Sequence, residues 1–485
     1  MNRQIVQLFA LTLVLFGVLI AFTSRWTVFE AASLEDNQLN RRGLIEQQQV
    51  PRGLILASDG STVLARSEPR GRGSRRVYVR SYPDGETFGH PVGYSYINAG
   101  ETGIERSRND ALTGDLNEFG TIFRELQSQE REGDDVVTTL DPEAQELATS
   151  LLSGNKGSIV ALEPTTGRVR VMASTPGFDP NTVQDPATLR ALNLDEGDNP
   201  LINRSVQTNY QPGSTFKVVT AAAALDTGKL TPESIVDGSS PQTISGVPLN
   251  NAGNVDFGPI SFTTALTNSV NTVFARAGEQ VGARTLVEYM ERFGFYADPQ
   301  LDYPEGEMIA SGVRNSAGRL VKDDFDVGRV AIGQGGEEGQ IQVTPLQMAQ
   351  VAGAVANGGK LIRPRLTDRV VGQDGRVEER ISPAQQAQVM KPETAEQLTQ
   401  MMADVVNEGT GTAAALSDVA VAGKTGTAEV ANATLNQVWF IAFAPVDDPR
   451  YAIAVTLEDQ PLGTSGGVNA APLAAQVLES LLGGG

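Results

Sequence analysis

The chain has 485 residues, enough for an anchor, one small domain and one large domain with a sizeable core. Its 58 acidic residues outnumber 38 basic ones, a formal charge of −20, which argues against nucleic acid as the main partner because phosphate binding needs positive potential. Cysteine is absent and His90 is the single histidine. That excludes disulfides, thiolate ligands and His-rich metal sites, and points any nucleophilic catalysis to a hydroxyl activated without a Ser-His-Asp relay.

In chain order, the first element is an apolar run from Ile5 to Phe22, interrupted only by Gln7, Thr12 and Gly17. It is long enough to cross a bilayer as a helix. Arg3 flanks it on one side, and Arg25 and Trp26 on the other. Its length and the Trp26 interface anchor favour an uncleaved span over a signal peptide processed near Ala31 to Ser33. The expected arrangement is a cytoplasmic tail over residues 1–4, a transmembrane helix over 5–23, and the remainder outside a plasma membrane crossed once.

Residues 24–150 read as a smaller unit. Pro51 to Leu56 leads into the turn signal Asp59-Gly60, and five arginines lie between Arg70 and Arg80 around Tyr78. These are expected on a solvated strand or loop, paired with the surplus acids; contact with an anionic envelope polymer or headgroup is the alternative. An acidic stretch from Glu130 to Asp135 marks a boundary. Val136 to Leu140 then reads as a strand, and Asp141-Pro142 opens a helix through Ala148.

The longer unit, 151–485, begins with a hairpin: Gly157 to Leu162 and Val169 to Met172 flank a Thr165-Thr166-Gly167 turn. Ser214 to Leu225 is expected as a buried helix. Val419 to Val430, Val438 to Ala444 and Tyr451 to Leu457 are expected strands, and Ala470 to Leu482 a closing helix. Strands at both ends with helices between imply one sheet that the chain starts, leaves and rejoins.

Only seven lysines occur, so each position carries information. Two complete a Ser-x-x-Lys pattern. Ser153 to Lys156 falls in a turn, where side chains three apart have no fixed relation. Ser214 to Lys217 follows Gln211-Pro212-Gly213 and opens the buried helix, where residues i and i+3 share a face. A serine hydroxyl needs a base to become a nucleophile, and a lysine serves once burial and a neighbouring cation lower its pKa. A Ser N-cap with an incidental Lys is the plain alternative. Ser269-Val270-Asn271 is unspecific alone, since Ser-x-Asn also occurs at Ser107 and Ser153. Lys424-Thr425-Gly426-Thr427 occurs once, within an apolar strand. Gly weakens strands and Lys is costly toward a core, so the pattern suits a strand that a ligand approaches closely; a protective Lys on a sheet edge is the alternative.

In that order the three patterns resemble the signature of penicillin-recognising serine acyltransferases. The resemblance covers about 155–480, including Gly333-Gln334-Gly335, Thr344 to Gln347 and Trp439-Phe440-Ile441. It extends upstream through Arg52-Gly53, Tyr82-Pro83-Asp84-Gly85 and Gly103-Ile104-Glu105 to the membrane-proximal pedestal of class B penicillin-binding proteins, of the actinobacterial septal or polar-growth type. It implies a mixed α/β fold: a mainly antiparallel sheet flanked by helices, an all-helical subdomain, and the pedestal over 24–150. It also implies a peptidoglycan D,D-transpeptidase, without cofactor or metal, acting on stem peptides of a lipid-linked precursor in cell-wall synthesis and inhibited by β-lactams. Ser214 would be the acylated nucleophile and Lys217 its proton acceptor, with Ser269 and Lys424 continuing the proton route. Asn271 would hold the donor amide. The N–H groups of Ser214 and Thr427 would form the oxyanion hole. The Thr425 and Thr427 hydroxyls, beside Gly426, would receive the terminal carboxylate. No Glu-x-x-Leu-Asn segment follows Ser269, which favours acyl transfer over rapid drug hydrolysis. The upstream unit is too short for a glycosyltransferase, so a separate membrane glycan polymerase and division or elongation proteins are the expected partners. A carboxypeptidase or β-lactamase-like hydrolase of this fold, or a non-catalytic sensor, are the rival readings; the intact lysines argue against the sensor. His90 is expected in a pedestal loop without a catalytic role.

Overall fold

A computed structural model describes residues 2–26, 50–71, 76–114, 132–335, 339–430 and 434–483. Helix α1 (Asn2–Ser24) contains the predicted span. Residues 3–24 are long and apolar enough to cross a membrane, and none of the helix is buried against the rest of the chain. An apolar helix without a protein partner needs another apolar surrounding, which a bilayer supplies. The processing site near residues 31–33, Arg72, Arg75 and Glu130 lie outside the described residues.

Strands β1 (Ile55–Leu56), β2 (Val63–Arg70), β3 (Val77–Ser81) and β4 (Asp135–Thr138) precede helix α2 (Pro142–Leu151). Pro142 stands in the first turn of α2, and the Asp141 carboxylate accepts from Ala144 N, the expected N-terminal device. The hairpin β5 (Gly157–Leu162) and β6 (Val169–Thr175) follows. Helices α3 (Lys217–Asp226), α4 (Asn271–Val281) and α5 (Pro345–Ala356) come next. Then the chain forms β7 (Thr367–Val371), β8 (Val377–Arg380), α6 (Pro392–Asn407), β9 (Ala422–Val430), β10 (Leu435–Ala444), β11 (Tyr451–Pro461) and α7 (Ala471–Gly483).

The main sheet has the order β9-β10-β11-β5-β6, every neighbour antiparallel. The predicted departure and return is therefore made by β11, which pairs the C-terminal strands with the early hairpin. Helices cover both faces, so β10 is an almost continuous apolar run instead of an alternating one. Ile159, Ala161, Phe440, Ile453 and Val455 face α2 and α7 in one core. Val160, Leu162, Trp439, Ile441 and Ala454 face the other core, with α3, α4 and α5. The period of two along each strand thus separates the two layers.

The second sheet has the order β8-β7-β4-β1-β2-β3. Its first two strands come from the long C-terminal segment, so the N-terminal unit shares a sheet with it. The residues singled out there by resemblance meet around Glu105, which is fully buried. Arg52 Nη2 donates to Glu105 Oε2 at 2.9 Å, and Arg80 Nε to Oε1 at 2.5 Å. Tyr82 Oη donates to Oε1 at 3.2 Å. Burial alone would raise the Glu105 pKa, but the Arg80 and Arg52 guanidiniums outweigh it and hold the carboxyl below the usual range. Arg80 is thus not on the solvated face expected of the arginine-rich segment; its strand turns it inward onto a buried acid. His90 also departs from expectation. It lies inside a helix (Gly85–Val92), buried, with Nε2 bonded to Pro200 O at 3.0 Å. Burial lowers its pKa to about 4.

Candidate active site

The site lies where the outer edge of β9 meets the start of α3. Ser214 sits in a 3-10 turn (Gly213–Phe216), and α3 begins at Lys217. The expected α-helix from Ser214 is therefore tighter in its first turn. Residues three apart eclipse in such a turn, so Ser214 and Lys217 stay on one edge. Gly213 has φ +51, and its N–H donates to Gly333 O at 3.1 Å. A Cβ on Gly213 would meet Thr427 O at 2.5 Å and Thr427 N at 3.0 Å. Only glycine fits there, and its absence of side chain lets the serine turn press against β9. Gly426 is the complementary position: a Cβ there would meet Pro212 O at 2.6 Å. That is the physical reason for glycine in the middle of this strand.

Lys217 is fully buried and its Nζ donates to Ser269 O at 2.7 Å, Ser269 Oγ at 3.2 Å and Asn271 Oδ1 at 2.7 Å. Lys424, also fully buried, donates to the same Ser269 Oγ at 2.9 Å and to Thr425 O at 3.1 Å. Ser269 is therefore bridged by two lysines. It holds φ +57, a strained conformation for a residue with a side chain, fixed by the Lys217 bond to its carbonyl and by Ser269 N donating to Leu266 O at 3.1 Å. The Asn250 carbonyl beside the other end of the Asn271 amide can only accept, so the Asn271 atom facing Lys217 is oxygen. Its Nδ2 donates to Asn250 O at 3.1 Å.

Burial first, and then the nearby Lys424 charge, push the Lys217 pKa well below the ordinary lysine value. Burial lowers Lys424 to about 7. A lysine in that condition can accept a proton near neutrality. The structure brings together Lys217, Ser269, Asn271 and Lys424. Ser214 opens the same helix, but its hydroxyl makes no hydrogen bond among the described residues. The rival pattern is spent elsewhere: Lys156 Nζ donates to Gly197 O at 2.6 Å and pairs with Asp198 at 3.2 Å.

Known proteins share this sequence pattern and this fold. Residues 157–479 match the penicillin binding protein transpeptidase domain, and residues 52–136 the penicillin binding protein A dimerisation domain. The chain belongs to the penicillin-binding protein transpeptidase family. The peptidoglycan D,D-transpeptidase PbpA of Mycolicibacterium smegmatis is 32% identical over 99% of both chains. PbpA of Mycobacterium tuberculosis is 31% identical over 100% of both. Among solved structures, a ceftriaxone acyl-enzyme complex of M. tuberculosis penicillin-binding protein A superposes with a TM-score of 0.80 at 30% identity, over 90% of this chain and 100% of that one. A D,D-transpeptidase domain from Eggerthella lenta gives 0.77 at 32% identity, over 90% and 98%. The fold expected from the motifs is the fold of this penicillin-binding protein.

Sequence reasoning did not find Asn250 or Asn251. The buried Asn251 Oδ1 accepts from Thr272 N at 3.0 Å, satisfying the start of α4 from outside the helix, while the Asn250 carbonyl orients Asn271. Their only local signal was an Asn-Asn pair in a turn-rich stretch.

Proposed function

We propose that Ser214, Lys217, Ser269 and Lys424 carry the peptidoglycan D,D-transpeptidase reaction of this chain, with Asn271, Thr425, Gly426 and Thr427 holding the donor stem peptide. The observation that carries the reading is the Ser269 hydroxyl standing between two buried lysine nitrogens, beside the helix that Ser214 opens. Neutral Lys217 takes the Ser214 proton as Oγ attacks the carbonyl of the penultimate D-Ala. The N–H groups of Ser214 and Thr427 receive the oxyanion. As the C–N bond breaks, Lys424 passes a proton through Ser269 to the departing D-Ala amine, and the proton held by Lys217 then moves through the same hydroxyl to recharge Lys424, leaving Lys217 neutral again. The acyl group stays on Ser214 until the amine of a neighbouring strand attacks it, and the proton lost by that amine returns through Lys217. Lys217 must release one present acceptor to reach Ser214, and Asn271 Oδ1 is the one the donor amide would engage.

The proposed organisation has residues 1–4 in the cytoplasm, 5–23 across the plasma membrane, and the 24–150 pedestal and 151–485 catalytic unit outside. Glycan strands would come from a separate membrane polymerase, in concert with division or elongation proteins. Product analysis with stem-peptide substrates tests the chemistry. Cross-linked dimers are expected; shortened monomers alone would make the chain a carboxypeptidase. Loss of β-lactam binding with the nucleophile intact would remove the assignment of Ser214.

A further inference from the structure

The loop after α6 brings a residue to the site that no motif marks. Thr410 Oγ1 lies 2.7 Å from Thr425 Oγ1, its only side-chain hydrogen bond among the described residues. Thr410 N donates to Thr267 O at 3.3 Å, two residues before Ser269. A Cβ on Gly467 would run into Thr410 O. Thr410 therefore bonds to the Ser269 loop and to the Lys424 strand and packs closely against the short helix Gly466–Asn469.

A threonine hydroxyl has one proton to give. Thr425 can donate it to Thr410 or to an incoming carboxylate, but not to both. If Thr410 is the donor, the Thr425 proton is left for the anion, and donation into Thr425 strengthens its own charge-assisted bond. The neighbouring hydroxyl is treated the same way: Thr427 Oγ1 accepts from Gly466 N at 3.4 Å, which leaves the Thr427 proton outward. We propose that Thr410 is a positioning residue for carboxylate capture, donating to Thr425 so that Thr425 donates to the terminal carboxylate of the stem peptide or β-lactam. The inference rests on the reading that Thr425 and Thr427 receive that carboxylate.

Stopped-flow acylation by benzylpenicillin separates the dissociation constant of the encounter complex from the limiting acylation rate. Thr410→Val keeps shape and removes the hydroxyl. It is expected to raise the dissociation constant about five- to ten-fold, the loss of roughly one hydrogen bond, with the limiting rate and the unfolding temperature unchanged. Thr410→Ser is expected to restore wild-type binding. In the Thr425→Val background, Thr410→Val should add nothing. If Thr425→Val weakens binding while Thr410→Val does not, the inference fails and the carboxylate reading stands. If Thr425→Val itself binds as wild type, the carboxylate reading fails with it. Equal losses in Thr410→Ser and Thr410→Val would also overturn the proposal, since a hydroxyl-independent role is merely structural.

Discussion

Replacing Lys217 with Arg keeps a cation at the entrance to α3 and removes the possibility of a neutral base there. The two lysine nitrogens lie 3.2 and 2.9 Å from one oxygen, so they are no more than about 6 Å apart. At an effective dielectric near 20, two unit charges at about that separation repel by roughly 3 kcal/mol, about a hundred-fold in proton affinity. Added to the burial that already lowers both lysines, this repulsion favours loss of one of the two protons near neutrality. Lys217, lowered by both burial and Lys424, is the one that loses it. A guanidinium cannot follow, because it stays protonated at every accessible pH. Lys217→Arg is therefore expected to slow acylation by about 10²- to 10⁴-fold, the usual worth of a general base. Lys424→Arg retains the charge that attracts a carboxylate and keeps Lys217 neutral but cannot pass a proton to the leaving nitrogen, so a loss is expected that is smaller than that of Lys217→Arg. The wild-type second-order rate constant should fall on the acid side, as Lys217 is protonated. It should fall again as pH rises through about 7 and Lys424 loses its charge; Lys424→Arg should lack that second limb. Stopped-flow acylation across pH, with thermal unfolding as the folding control, reads all of this. Lys217→Arg acylating at the wild-type rate would refute the argument, and the Ser214 proton would have to leave by another route.

Ser214→Ala is expected to abolish covalent labelling by a fluorescent penicillin in intact-mass analysis, and Ser153→Ala to leave it intact; equal loss in both would undo the assignment. The full chain is expected to sediment with membranes, whereas a chain beginning near residue 33 should remain soluble and still be labelled, because no site residue lies on α1 and none of that helix is buried against the rest of the chain; finding the longer protein in membrane-free fractions, cleaved near residue 33, would favour a signal peptide. His90 should make the fold acid-sensitive. The unfolded chain takes up its proton below about 6.5 and the folded one only below about 4, so stability falls across that window by on the order of 3 kcal/mol. Denaturant unfolding of His90→Gln should show a correspondingly shallower loss between those pH values, and an identical slope would rule the histidine out.

Much of the site was legible because its chemistry depends on residue types at short spacings. Ser214 and Lys217 share a turn, Ser269 and Asn271 share another, and Lys424 to Thr427 share a strand, so local geometry alone relates the members of each pattern. The main sheet could be anticipated for a similar reason, since apolar runs too short for helices stood at both ends of one segment. What the tertiary structure decided is everything that crosses between those pieces. The convergence of two lysines on the Ser269 hydroxyl sets which one is neutral, and it depends on how β9 packs against α3. Gly213 and Gly426 acquire their meaning only from the backbone each faces, Thr427 and Pro212. Arg80 looked like one solvated arginine among five, and became a buried partner of Glu105 because β3 lies beside β2 at the N-terminal sheet's edge. Asn251 and Thr410 belong to none of the three motifs. Their partners lie 21 and 15 residues away, and a short polar side chain in a loop signals only a turn until the fold supplies the group it bonds.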